Sequence, residues 1–106
     1  MGYVRHYAPE TASRDEMDAL PGATLLEFGT NWCGFCTGAQ AAIEAALDAH
    51  PDLRHVKVED GSGRPLGRSF RVKLWPTLVL LRDGAEVARV VRPAAREDVD
   101  RVLALL

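Results

Sequence analysis

The chain contains two cysteines, Cys33 and Cys36, which lie in the run Trp32-Cys33-Gly34-Phe35-Cys36. An apolar run ends just before this pair and an alanine-rich segment follows it, so the pair is predicted to lie where a strand leads into a helix. The amide groups and dipole of a helix N-terminus lower the pKa of a thiol placed there. Since the thiolate is the attacking species in thiol–disulfide exchange, Cys33 is the predicted nucleophile. Cys36, one helical turn further in, is the predicted resolving cysteine.

Three other uses of such a pair are weaker interpretations. A stabilising disulfide across so short a loop restricts the unfolded chain very little. A Cys-x-x-Cys pair is half of many zinc sites, but no second pair exists and His6, His50 and His55 lack ligand spacing. Haem attachment requires a histidine after the second cysteine, where this chain has Thr37. Redox chemistry without a metal or other cofactor is therefore the favoured prediction.

The apolar pattern predicts the elements that position this pair. Strands are predicted over residues 3–7, 23–29, 53–59, 77–82 and 86–92, and helices over 13–20, 33–50 and 65–72. A last helix is predicted from its apolar residues at helical spacing, which are Val99, Val102, Leu103 and Leu106. Alternating strands and helices followed by a hairpin predict an α/β fold, with a mixed sheet of about five strands flanked by about four helices. Residues 1–106 are expected to form a single domain.

Composition and charge exclude several classes of protein. The 106 residues are 47% apolar, and 13 basic against 15 acidic side chains give a net charge of −2. The chain has no concentrated basic patch of the kind that nucleic-acid or membrane-surface proteins usually carry. No apolar stretch approaches the ~18 residues of a membrane-spanning helix, and the N-terminus lacks the apolar core of a secretory signal. The prediction is a soluble cytoplasmic protein without nucleic-acid or membrane partners.

The sequence resembles the thioredoxin family over about residues 25–106. The matching features are Trp32-Cys33-Gly34-x-Cys36, the acid Glu27 six residues before Cys33, the dipeptide Pro76-Thr77 and the hairpin glycine Gly84. This resemblance implies a thioredoxin fold and a protein-disulfide reductase that works as a monomer. Its redox centre would be the Cys33–Cys36 disulfide, its substrates protein disulfides, and its partner a recycling reductase.

The resemblance also implies roles for individual residues. Pro76 would be cis, would pack beside the active-site sulfurs and would expose the backbone of Trp75 to the substrate. Glu27 matches a buried acid that takes the proton of Cys36, and Lys57 matches a lysine beside that acid. Burial predicts a raised pKa for Glu27, although a carboxylate can instead turn outward to pair with a surface base.

The remaining predicted site residues shape the substrate surface. Trp32 shields the sulfurs or is simply a large packing residue, and Gly34 and Phe35 lie between the two cysteines. Phe35 stands where typical thioredoxins have proline, and its lack of charge favours a reductant. Trp75 and the Arg92-Pro93 pair add bulk and charge beside the expected groove, where the family has smaller residues. These differences predict a narrower range of partners.

Two alternative functions stay open from the sequence. One is a glutaredoxin-like oxidoreductase that uses glutathione, although the Gly-Gly and Thr-Val-Pro signatures of that family are missing. The other is a binding module that holds a partner protein through the surface around Trp32, Trp75 and Arg92.

Overall fold

The computed structural model describes residues 2–9 and 12–106. Within these ranges the chain forms four helices and four strands. In chain order they are α1 (Arg14–Asp18), β1 (Ala23–Gly29), α2 (Gly34–Leu47), β2 (Arg54–Glu59), α3 (Pro65–Ser69), β3 (Thr77–Arg82), β4 (Ala85–Val91) and α4 (Arg96–Leu103).

The four strands form one mixed sheet in the order β2-β1-β3-β4. Strand β1 is parallel to β2 and antiparallel to β3, and β3 pairs antiparallel with β4. The α/β class and the mixed sheet are as predicted. The loop after β1 leads directly into α2, so the end of an inner strand places the cysteine pair at the start of that helix.

The predicted strand over residues 3–7 is wrong, which leaves four strands rather than five in the described part of the chain. Its backbone pairs with β2 only at two isolated bridges that flank it, at Gly2 and Ala8. Two amides within the segment bind side chains instead of a neighbouring strand. The N–H of Val4 donates to Nδ1 of His55 at 2.8 Å, and the N–H of Tyr7 donates to Oδ1 of Asn31 at 2.9 Å.

The alternation of side chains along β1 builds a core on each face of the sheet. Leu25 faces α2 and α4, whereas Leu26 and Phe28 face the other way, toward α1 and α3. Glu27 lies two residues after Leu25, so its side chain points to the same face as Leu25. The strand therefore directs a carboxyl group into the layer beneath α2.

The C-terminal helix is shorter than its apolar spacing predicted. Val99, Val102 and Leu103 are buried, but α4 ends at Leu103 and Leu106 is exposed. The helical spacing therefore does not continue to the last leucine. No helix in residues 2–9 and 12–106 is long and apolar enough to cross a membrane.

Candidate active site

Cys33 is the residue immediately before α2 and is partly exposed. Its limited burial raises the pKa of the thiol, but other interactions with the sulfur outweigh this effect. The Cys36 thiol and the amides of Phe35 and Cys36 hydrogen-bond to it, and the charge of Arg92 adds to them. The pKa of Cys33 therefore lies below its ordinary value, and the first turn of α2 stabilises the thiolate.

Cys36 has the opposite environment. It is completely buried in the first turn of α2. Burial is the main cause that raises its pKa to about 11, and its interaction with Cys33 raises it further. Cys36 is consequently a thiol at neutral pH and needs a proton acceptor before it can attack.

Glu27 is also completely buried, and hydrogen bonds occupy both carboxylate oxygens. Oε1 is 2.8 Å from Nε2 of His55, and Oε2 accepts from the Tyr7 hydroxyl and, at 2.9 Å, from Nε2 of Gln40. Burial raises the pKa of Glu27, but the hydrogen bonds from His55 and Tyr7 and the charge of Lys57 bring it below its ordinary range. The expected raised pKa of Glu27 is therefore wrong, because the hydrogen-bond donors buried with the carboxylate stabilise its charged form. The outward orientation of Glu27 is also wrong.

The β1–β2 register explains why these groups meet. Glu27 pairs directly with Lys57, and His55 lies two residues earlier on the same face of β2. Nζ of Lys57 is 4.0 Å from Oε2 of Glu27, and it donates to Oε1 of Gln40 at 2.7 Å and to the carbonyl of Arg5 at 2.6 Å. We call Glu27, Tyr7, Gln40, His55 and Lys57 the buried polar cluster.

Aromatic side chains surround the exposed side of the cysteine pair. Trp32 is 75% exposed and Phe35 is 61% exposed. The Trp32 ring packs edge-on against Trp75, with ring centroids 5.9 Å apart, and Nε1 of Trp75 donates to Asp60 at 2.8 Å. Gly34 is exposed, and a Cβ there would meet nothing within 4 Å, so no contact requires glycine at this position.

The peptide bond between Trp75 and Pro76 is cis, as the family resemblance implied. The carbonyl of Trp75, expected to be exposed to the substrate, is instead covered by a hydrogen bond from Arg92. Arg92 contacts both residues: its Nε donates to the carbonyl of Trp75 and its amide to the carbonyl of Pro76, each at 2.8 Å. The guanidinium also lies 3.8 Å above the ring of Phe35. Arg92 adopts a φ of +50°, a conformation that favours glycine. Its side chain thus folds back over the backbone carbonyl beside the cysteines.

Sequence reasoning missed three members of the buried polar cluster. Gln40 lies four residues after Cys36 on the same side of α2, a spacing that was readable as a contact. His55 shares a strand face with Lys57, which alternation also indicated. Tyr7 carried no local signal, because it approaches from a segment without regular structure.

Comparisons with known proteins identify the family. The sequence profile described as thioredoxin matches residues 10–104. A thioredoxin from Chlamydia trachomatis is 35% identical over 86 residues, which cover 80% of each chain. The chain belongs to the thioredoxin family. Thioredoxins are disulfide oxidoreductases that use their own cysteine pair and need no external cofactor.

A solved thioredoxin 2 from Pseudomonas aeruginosa, in its reduced form, superposes with a TM-score of 0.86 at 52% identity. The match covers 95% of this chain and 94% of that one. A thioredoxin-2 from Pyricularia oryzae is 32% identical over 83 residues, which cover 76% of this chain and 48% of that protein. The chain thus spans about half the length of the Pyricularia relative. It has the thioredoxin fold predicted from its sequence.

Proposed function

We propose that this protein reduces disulfide bonds in other proteins by dithiol–disulfide exchange. The thiolate of Cys33 attacks one sulfur of the substrate disulfide, and the other sulfur leaves as a thiolate. Cys36 then attacks Cys33, which forms the Cys33–Cys36 disulfide and releases the second substrate thiol. Overall, two electrons and two protons pass to the substrate.

The observation that carries this proposal is the unequal environment of the two sulfurs. Cys33 is accessible and has a lowered pKa, whereas Cys36 is buried and has a pKa of about 11. An attacking thiol needs the first environment, and a resolving thiol that must wait for a mixed disulfide suits the second. The test is whether the protein accelerates the reduction of insulin and of a small disulfide by dithiothreitol. No acceleration of either would contradict the proposal.

Partners and location are part of the proposal. A recycling reductase would return electrons to the Cys33–Cys36 disulfide, and the protein would act as a monomer. We place it in the cytoplasm, because a reducing compartment keeps the pair in the dithiol form that attacks substrates. A single domain over residues 1–106 agrees with one family match that extends across residues 10–104.

We further propose that Arg92 narrows the range of substrates. A substrate strand that pairs beside Pro76 has to displace the hydrogen bond from Arg92 to the Trp75 carbonyl. A net hydrogen bond contributes about 1 kcal/mol, roughly a fivefold effect on binding. Substrates able to replace the bond would therefore be favoured over substrates that cannot.

Arg92→Gly is expected to reduce insulin roughly fivefold faster than the wild type at pH 8.5, since it uncovers the Trp75 carbonyl. The charge of Arg92 also lowers the pKa of Cys33. The gain should consequently shrink toward neutral pH, where the variant holds less thiolate. The measurement is initial insulin reduction with dithiothreitol, with Arg89→Ala as the control because Arg89 pairs with Glu86 on β4. An Arg92→Gly rate at or below wild type at pH 8.5 would show that Arg92 does not restrict substrates.

A further inference from the structure

The Tyr7 side chain lies between the resolving cysteine and the buried acid. Tyr7 is only 5% exposed, and its hydroxyl donates to Oε2 of Glu27. The Tyr7 hydroxyl and the Cys36 thiol also affect each other's pKa. The Tyr7 oxygen and the Cys36 sulfur both lie close to Gly29. A Cβ added at Gly29 would be 2.7 Å from each of these two atoms. Glycine at this position therefore leaves room for the Tyr7 hydroxyl and the Cys36 sulfur to lie side by side.

We propose that Tyr7 is a catalytic residue that passes the proton of Cys36 to Glu27 when Cys36 resolves the mixed disulfide. This inference rests on the proposed reductase function and assigns the proton path for its second step. The contacts of the Glu27 oxygens are with other members of the buried polar cluster. Among these contacts, the Tyr7 oxygen is the one that also lies beside Gly29 together with the reacting sulfur.

The Cys36 thiol gives its proton to the Tyr7 oxygen while the Tyr7 hydroxyl gives its own proton to Oε2 of Glu27. The Cys36 sulfur forms a bond to the Cys33 sulfur, the bond between Cys33 and the substrate breaks, and its electron pair leaves with the substrate sulfur. Burial and the negative charge of Glu27 raise the pKa of Tyr7 well above its ordinary value. The two proton transfers are therefore coupled, and Tyr7 stays neutral throughout.

The geometry also sets where the proton stops. Nδ1 of His55 accepts the amide of Val4, so the ring carries its hydrogen on Nε2 and directs it at Glu27. His55 thus offers no free nitrogen to receive the proton, so the path ends at Glu27. A cavity of about 200 Å³ is lined by Tyr7 and Cys36 among others, so it borders the start of the proton path.

The experiment is a stopped-flow reaction of the reduced full chain with 5,5′-dithiobis(2-nitrobenzoate). Attack by Cys33 releases one thionitrobenzoate in a phase that depends on reagent concentration, and resolution by Cys36 releases a second in a first-order phase. Tyr7→Phe is expected to slow the second phase on the order of 10²-fold, the usual contribution of a positioned proton-transfer group. The first phase should stay unchanged.

The pH dependence separates a proton path from a structural role. The charged and titratable groups facing Tyr7 and Glu27 are Cys36 from α2, His55 and Lys57 from β2, and Tyr3 and Arg5 from the N-terminal segment. In Tyr7→Phe, Cys36 has to ionise before it attacks, and its pKa of about 11 is far above neutral. The second phase of the variant should therefore rise about tenfold per pH unit between pH 6 and 8. The wild-type phase should vary much less.

Two further variants keep the test decisive. Tyr3→Phe removes a hydroxyl that donates to Gln40 at 2.7 Å, and it should react like the wild type in both phases. Glu27→Gln still accepts the Tyr7 hydrogen bond but takes up no proton, and it should slow the second phase as Tyr7→Phe does. Equal second phases in the wild type and Tyr7→Phe, or an equal slowing by Tyr3→Phe, would overturn the inference. A wild type that releases only one thionitrobenzoate would instead contradict the proposed function.

Discussion

Replacing Cys33 with serine is expected to reduce disulfide exchange to the uncatalysed rate. Cys33 is the accessible thiol, and its thiolate is stabilised by the first turn of α2. Serine in its place is not nucleophilic enough to attack a disulfide at neutral pH. Cys36 has no means of substituting for it, because Cys36 is completely buried and has a pKa of about 11. The measurement is the rate of insulin reduction with dithiothreitol as the electron source.

The matched variant is Cys36→Ser, which keeps the nucleophile and loses the resolving thiol. It should form a mixed disulfide with the substrate at the wild-type rate and then stop, and mass spectrometry should locate the link at Cys33. A mixed disulfide at Cys36 in Cys33→Ser would reverse the assigned roles. The double serine variant separates exchange from binding, since a pure binding module would retain its partner without either thiol.

Replacing Glu27 with alanine is expected to destabilise the fold by about 3–5 kcal/mol, the usual effect of removing one partner from a buried charge pair. The change leaves Lys57, His55 and Tyr7 in the core without the carboxylate that they surround. Domains of this size have about 5–15 kcal/mol of stability in total, so the loss is a large share. Urea unfolding at pH 7 measures it.

The control is Glu86→Ala, which breaks an ion pair with Arg89 that is about one-third exposed on both sides. That change should lower the free energy of unfolding by no more than about 1 kcal/mol.

The pH dependence of stability gives a second check, because the folded-state pKa of Glu27 is lowered. Its stabilising contribution is present above the unfolded pKa of about 4.3 and is lost as the pH falls through the folded pKa. The difference between the wild type and Glu27→Ala should therefore narrow in acid, and a constant difference would contradict the assigned charge state.

Local patterns predicted the parts of the site that lie on regular elements. The position of Cys33 at the start of α2 follows from an apolar strand, a short loop and an alanine-rich helix. The inward direction of Glu27 follows from alternation along β1. The position of Cys33 and the direction of Glu27 each depend on residues nearby in the chain, so local sequence patterns are enough to predict them.

The parts that sequence reasoning missed depend on contacts between distant segments. Tyr7 reaches Glu27, 20 residues along the chain, from a segment with no periodicity. The pKa of Glu27 is the sum of opposing effects, and the groups that lower it come from two distant segments, β2 and the N-terminal segment. The conformation of Arg92 was also not predictable from local sequence. Its positive φ and its hydrogen bond to the carbonyl of Trp75 both depend on how two distant segments pack together.

The most direct test of the central claim is a redox titration of the Cys33–Cys36 pair in glutathione or dithiothreitol buffers, followed by thiol trapping and mass spectrometry. We predict one two-electron transition in which Cys33 and Cys36 lose their thiols together. The midpoint potential of the pair should lie at or below the cytosolic glutathione potential of about −240 mV, because a reductant must hold its electrons less tightly than the disulfides it reduces. A pair that never forms the disulfide, or a midpoint far above that value, would contradict a disulfide-reducing role.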